Sequence, residues 1–188
     1  MGNKKIKIIL LTILIILSIT SCKEKSKTHK YKIGDKGPAG GLIFYDKGKF
    51  SEGWRYLEAA PSDEGVYKWG TDRTNIEGTH TGIGSGKANT KIITEKLEQL
   101  GETDLAAQIC EDKTYNGFSD WFLPSKDELN TMFKKLHLKG LGDFQPASYW
   151  SSSQNNTGEV WLQVFPYGSQ YITNYKEYTY MVRAVRAF

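Results

Sequence analysis

The side chains able to do covalent or metal chemistry are few and scattered. Cysteine occurs at positions 22 and 110 and histidine at 29, 80 and 137. The three histidines lie far apart and form no metal-ligand spacing with Cys110. No nucleophile stands in a pattern that pairs it with a base, and no carboxylate pair is arranged for acid–base work. Residues 82–88, Gly-Ile-Gly-Ser-Gly-Lys-Ala, approach a phosphate-binding loop but fail on spacing. The pattern G-x-x-x-x-G-K-[ST] needs glycine at Thr81 and a hydroxyl residue at Ala88. The stretch reads instead as a tight turn before a helix. Cys110, set among Leu105, Ala106, Ala107 and Ile109, reads as a small core residue. Asn155-Asn156-Thr157 matches a glycosylation sequon, yet its simplest reading is a polar turn. No metal or cofactor is expected. Recognition chemistry is better represented. Ser151, Ser153, Gln154, Asn156, Trp161, Gln163, Gln170, Tyr171, Asn174 and Tyr175 mix flat rings with amides and hydroxyls, the composition of adaptable binding surfaces. Such rings stack on apolar faces of sugars or proteins while the amides fix orientation.

The amino-terminal residues deliver this surface to a location. Lys4, Lys5 and Lys7 precede an apolar run over residues 8–19, the layout of a signal peptide and short for a membrane span. Small residues then lead directly into Cys22, which looks like the lipobox of a bacterial lipoprotein, so that Cys22 would carry lipid. The chain therefore divides into a lipoprotein signal peptide at 1–21, a flexible tether at 22–30 and one ligand-binding domain at 31–188. The expected location is the bacterial cell envelope, at the outer membrane or cell surface. Fatty acyl chains, including palmitate, would hold it there, since each buried CH₂ contributes about 0.8 kcal/mol. Without residues 1–21 the chain keeps 22 basic against 21 acidic residues. So small an excess removes the main support for nucleic-acid binding. With Cys22 lipidated, Cys110 has no disulfide partner.

The elements that must position the recognition residues follow from pattern. Ser125 and Glu128 have the spacing of a capping box, and Leu129, Met132, Phe133 and Leu136 form one apolar stripe behind it. Trp121, Phe122 and Leu123 just ahead must be buried, which makes residues 116–129 an architectural hub. A second helix is expected from Asn89 or Thr90 to Gly101, and a shorter one over residues 104–111. Strands are expected at 41–46, 53–59, 149–153, 159–165, 169–173 and 181–188, with a loop from Pro61 to Asn89. Alternation of Val160, Leu162 and Val164 against Trp161, Gln163 and Phe165 predicts a half-buried antiparallel strand. Lys134, Lys135 and Lys139 gather near His137 at the end of the capped helix, either as an anion-binding patch or as a solvated face complementing the helix dipole.

Five separated runs then carry a family likeness: Gly-Pro-Ala-Gly-Gly at 37–41, Gly-Ser-Gly-Lys-Ala-Asn-Thr at 84–90, Trp-Phe-Leu-Pro-Ser-Lys-Asp-Glu-Leu at 121–129, Tyr-Trp-Ser-Ser-Ser at 149–153 and Val-Arg-Ala-Val-Arg-Ala-Phe at 182–188. Together they resemble the C-terminal domain of the Legionella collagen-like adhesin, over nearly all of the chain after the signal peptide. Some of these runs also resemble formylglycine-generating enzymes and the variable proteins of diversity-generating retroelements. The resemblance implies an α+β, C-type-lectin-like fold, with two main helices packed beside a small twisted antiparallel sheet, long loops, and the first and last strands paired. It also implies a non-enzymatic adhesin-type domain recognising an extracellular glycan or protein. The alternative is a structural envelope protein bound to another envelope component. The enzyme reading loses the cysteine pair near the last strands on which formylglycine generation depends. A lectin-type calcium site is unsupported too, because Gln145-Pro146-Ala147 lacks the carboxylate and Trp150 is followed by serines.

Overall fold

The computed structural model describes residues 30–71, 74–155 and 158–188. The expected signal peptide, Cys22, the tether up to residue 29 and Asn156 lie outside the described residues. Residues from Tyr31 to Phe188 form one compact unit. Its elements are β1 (Leu42–Ser51), β2 (Trp54–Ala59), β3 (Gly65–Lys68), α1 (Gly86–Leu100), α2 (Ala106–Glu111) and α3 (Lys126–Lys135). A 3-10 turn follows at His137–Lys139, then β4 (Ser148–Gln154), β5 (Val160–Val164), β6 (Ser169–Thr173), β7 (Thr179–Val182) and β8 (Val185–Ala187).

The strands form two sheets, a three-stranded one in the order β1-β2-β8 and a five-stranded one in the order β3-β7-β4-β5-β6. This corrects the expected fold class. Eight strands in two sheets with three short helices make a mostly β domain, not two main helices beside one small sheet. The expected pairing of first and last strands is corrected too, because β2 lies between β1 and β8. The helical periods are conspicuous in the sequence, whereas β3 is a four-residue strand inside the segment that reads as loop, and the single strand expected at 181–188 is divided into β7 and β8, one in each sheet.

The five-stranded sheet is covered on both faces, which explains the second departure. Trp150, Val160, Leu162 and Val182 point into one core with Ile93 and Leu97 of α1, Ala106 and Cys110 of α2, and Trp121. Tyr149 and Phe165 point into the other, with Leu129, Met132 and Phe133 of α3 and Phe44, Leu57 and Val185 of the smaller sheet. β5 is therefore covered on both sides, with Trp161 and Val164 left half-buried, and Gln163, expected on an open face, is fully buried.

The run at 121–129 joins these cores. Trp121 and Leu123 enter the first core and Phe122 the second, while Phe122 exchanges backbone hydrogen bonds of 2.8 and 2.9 Å with Val185. Ser125 then caps α3 as expected, with the Ser125 hydroxyl accepting from Glu128 N–H and the Glu128 carboxylate accepting from Ser125 N–H at 2.7 Å. Glu128 reaches further and accepts from Gly84 N–H at 2.8 Å, binding the glycine-rich turn before α1 to the start of α3. A Cβ at Gly86 would stand 2.2 Å from that carboxylate, so only glycine permits this approach.

Both arginines of the last run are structural. Arg183 is buried, its Nε donating to Asp63 at 2.6 Å and its Nη1 to the carbonyls of Ala60 and Gly142 at 2.9 Å each. Asp63 also accepts from the Tyr149 hydroxyl at 2.8 Å; burial, reinforced by this bond, pushes that phenol above its ordinary range. Arg186 donates to both oxygens of Asp120 at 2.8 and 3.0 Å and to buried Glu58 at 3.2 Å.

Candidate functional site

Of the ten residues expected to recognise ligand, nine are described, and they separate into two groups. Ser151, Ser153, Gln154 and Gln163 are buried. The Ser151 hydroxyl donates to Trp161 C=O at 2.7 Å, and the Ser153 hydroxyl donates to His80 C=O at 2.8 Å while accepting from Lys126 N–H at 3.0 Å. The Gln154 amide donates to Asn75 Oδ1 and Ile76 C=O at 2.8 and 2.7 Å. Gln163 donates to Gly168 C=O at 2.7 Å, closing the β5–β6 turn, and its amide oxygen is buried without a partner. These four satisfy backbone groups of the scaffold, the usual task of buried polar side chains.

Trp161 and Gln170 are half-buried, and Tyr171, Asn174 and Tyr175 are exposed. Gln170 donates to Lys126 C=O at 3.0 Å, and the Lys126 ammonium stands 4.5 Å from the centroid of the Trp161 ring. Trp161 pairs across the strands with Ile172, and Leu162 with Tyr171. Among the described residues β6 pairs only with β5 and so forms an open edge of the larger sheet. Along and beyond this edge four tyrosines face water: Tyr167 in the preceding turn at 84 % exposure, Tyr171 at 57 %, and Tyr175 and Tyr178 after the strand at 59 and 56 %. Tyr175 and Tyr178 stack with centroids 5.0 Å apart and planes within 13°.

Tyr167 and Tyr178 are not among the expected recognition residues. Tyr167 sits in a Pro-Tyr-Gly turn, a position that itself signals exposure. Tyr178 gives no such signal, since its stacking on Tyr175 depends on the loop's path. A wider concavity of about 750 Å³, lined among others by Trp54, Leu57, Lys87, Lys91, Asp120 and Trp121, opens beside the start of α1. The rejected phosphate-loop stretch thus borders a cleft, but none of the nine described recognition residues lines it. Part of its polar lining is committed elsewhere: Asp120 to Arg186, and the Trp54 ring to the Lys47 ammonium 3.8 Å from its centroid.

No group of three or more His, Cys, Asp or Glu residues is placed to hold a metal ion among the described residues. Cys110 is fully buried, and burial pushes its thiol well above the ordinary range, away from nucleophilic chemistry.

Fold and site together define a β-rich domain with an open aromatic edge and a polar interior used for scaffolding. A fimbrial protein from Bacteroides ovatus ATCC 8483 has a similar fold, with a TM-score of 0.58 at 15 % identity over 85 % of this chain. The match spans 49 % of that protein, so this chain corresponds to about half of its length. No functionally curated protein matches the chain. The chain belongs to the Lcl C-terminal domain family, whose model matches residues 65–186. This is the collagen-like adhesin family that its sequence motifs resemble, and membership is consistent with an adhesin-like surface protein.

Proposed function

We propose that this chain is a lipid-anchored, non-enzymatic protein of the bacterial envelope that binds an extracellular glycan or protein along the β6 edge and its flanking loops. The observation that carries the reading is the set of four solvent-facing tyrosines distributed from the β5–β6 turn to the β6–β7 loop. Exposed rings are large, rigid contact surfaces with little entropy to lose on binding. An edge strand also offers unpaired backbone donors and acceptors. Trp161, Gln170 and Asn174 complete the proposed surface, Asn156 is assigned to it from the sequence alone, and Ser151, Ser153, Gln154 and Gln163 hold its backbone in place.

Glycan arrays and extracellular-matrix proteins presented to the mature chain test this reading. Saturable binding should weaken about tenfold or more in each of Tyr171→Ala, Tyr175→Ala and Tyr178→Ala, with unchanged thermal unfolding because these rings are exposed. Trp161→Ala should weaken it as well. Capture of envelope components alone, with no external ligand bound, would replace the adhesin reading with a structural one.

The anchor is tested separately. Metabolic labelling with a fatty acid should mark the wild-type chain and fail in Cys22→Ser; label persisting in the variant would refute lipidation at that residue.

A further inference from the structure

The end of α3 and the turn after it combine two features that a merely solvated helix end does not require. Lys134 and Lys135 occupy the last turn of α3, and Lys139 lies in the 3-10 turn that follows. All three are exposed, and among the described residues no carboxylate pairs with them. Lysines in a last helical turn complement the helix dipole, which accounts for Lys134 and Lys135. It does not account for Leu138, which stands 65 % exposed between them and Lys139, or for Leu141, 37 % exposed just beyond.

The same place is where the domain begins. A Cβ on Gly34 would lie 3.1 Å from the Leu141 side chain, and Ile33 packs into the core that holds Leu136 and Phe144. Lys32, also exposed, adds a further positive charge to this corner. Residues 32–35 and 134–143 carry four lysines against two acids, Asp35 and Asp143, although the chain after residue 21 is close to neutral. Exposed leucines set among unpaired lysines are the composition of a surface that rests on an anionic bilayer, with apolar side chains at the headgroup boundary and ammonium groups on the phosphates.

We infer that the corner formed by Leu138, Leu141 and Lys134, Lys135, Lys139 beside residues 32–34 is a membrane-apposed face that docks on anionic lipid headgroups. The inference deepens the lipid-anchored reading and takes its biological setting from it. The expected tether at 22–30 joins the domain at this corner, the part of it nearest in sequence to the lipid. The anchor and the face then act together, so the short tether need not leave the domain freely tumbling, and linked weak contacts reinforce each other through effective concentration.

Residues 22–188 carrying Cys22→Ser have no lipid and isolate the face from the anchor. Sedimentation with phosphatidylcholine vesicles containing about one-third phosphatidylglycerol should show partitioning that falls steeply with salt and is absent for pure phosphatidylcholine. The triple variant Lys134→Gln/Lys135→Gln/Lys139→Gln should lose about a hundredfold, at about fivefold per lysine. Leu138→Ser should weaken partitioning with all charges kept, and near-native unfolding midpoints are expected because every altered side chain is exposed. No partitioning, equal partitioning to neutral vesicles, or unchanged partitioning in the triple variant would overturn the inference. So would a Leu138→Ser variant that binds vesicles unchanged while the triple variant loses dextran sulfate, since that pattern marks a general polyanion site. Fatty-acid labelling at Cys22 reads the anchor independently, so either can fail while the other stands.

Discussion

Replacing Arg183 by methionine should destabilise the domain by about 3–5 kcal/mol, the cost of leaving a buried charge without its partner. The urea midpoint should fall with little change in slope. Arg183 is 1 % exposed and its guanidinium joins Asp63, Ala60 C=O and Gly142 C=O, drawing the segment after β2 and the loop before β4 onto the link between β7 and β8. Methionine fills part of the volume but donates nothing, so Asp63 keeps only the Tyr149 hydroxyl among these contacts. The double variant Asp63→Asn/Arg183→Met should recover part of the loss, because the uncompensated carboxylate is then gone. Strict additivity of the two single effects would show that the pair is not coupled.

Glu128 should impose a pH dependence that the Glu128→Gln variant lacks. Burial pushes the Glu128 carboxyl up from 4.5 to about 7, the desolvation only partly offset by N–H groups of Ser125, Gly84 and Gly86. Because the folded value lies above the unfolded one, the protonated carboxyl favours the folded state. Its contribution is fully present below pH 4.5 and is lost as pH rises through 7, by about 3 kcal/mol in all at roughly 1.4 kcal/mol per pH unit. Denaturation of wild type and Glu128→Gln across this window should therefore show a difference that moves steadily in favour of the variant as pH rises. Parallel profiles would mean that the backbone donors hold the carboxylate ionised.

The capped helix shows what can be read from residues alone. Ser125, Glu128 and the stripe Leu129, Met132, Phe133 and Leu136 act within one element, and the sequence places each correctly because its partner lies three or four residues away. The fold class is not legible in the same way. Whether β5 is covered on one face or two depends on α1 and Trp69 packing on one side and α3 on the other, at separations no alternation pattern reports. Trp69 illustrates the point, since its indole donates to Ser151 C=O, 82 residues away. Ser151, Ser153 and Gln163 read as surface for the same reason: their polarity is satisfied by distant backbone carbonyls or across a turn, so it carries no information about exposure. Tyr171 is exposed not through its own chemistry but because β6 ends the sheet.

The closing run of the chain has a consequence for how the domain is made. β7 lies between β3 and β4 in the larger sheet, and β8 pairs with β2 in the smaller. Arg183 between them reaches residues 60 and 63, and Arg186 reaches Glu58, 128 residues back. Neither sheet can close until these last strands arrive. During synthesis the emerging chain can form its local helices and the β1–β2 and β4–β5–β6 pairings, but β3 gains its partner and the smaller sheet its third strand only when β7 and β8 arrive. Late closure of widely separated segments makes folding slow, and in this domain that delay is built into strand order.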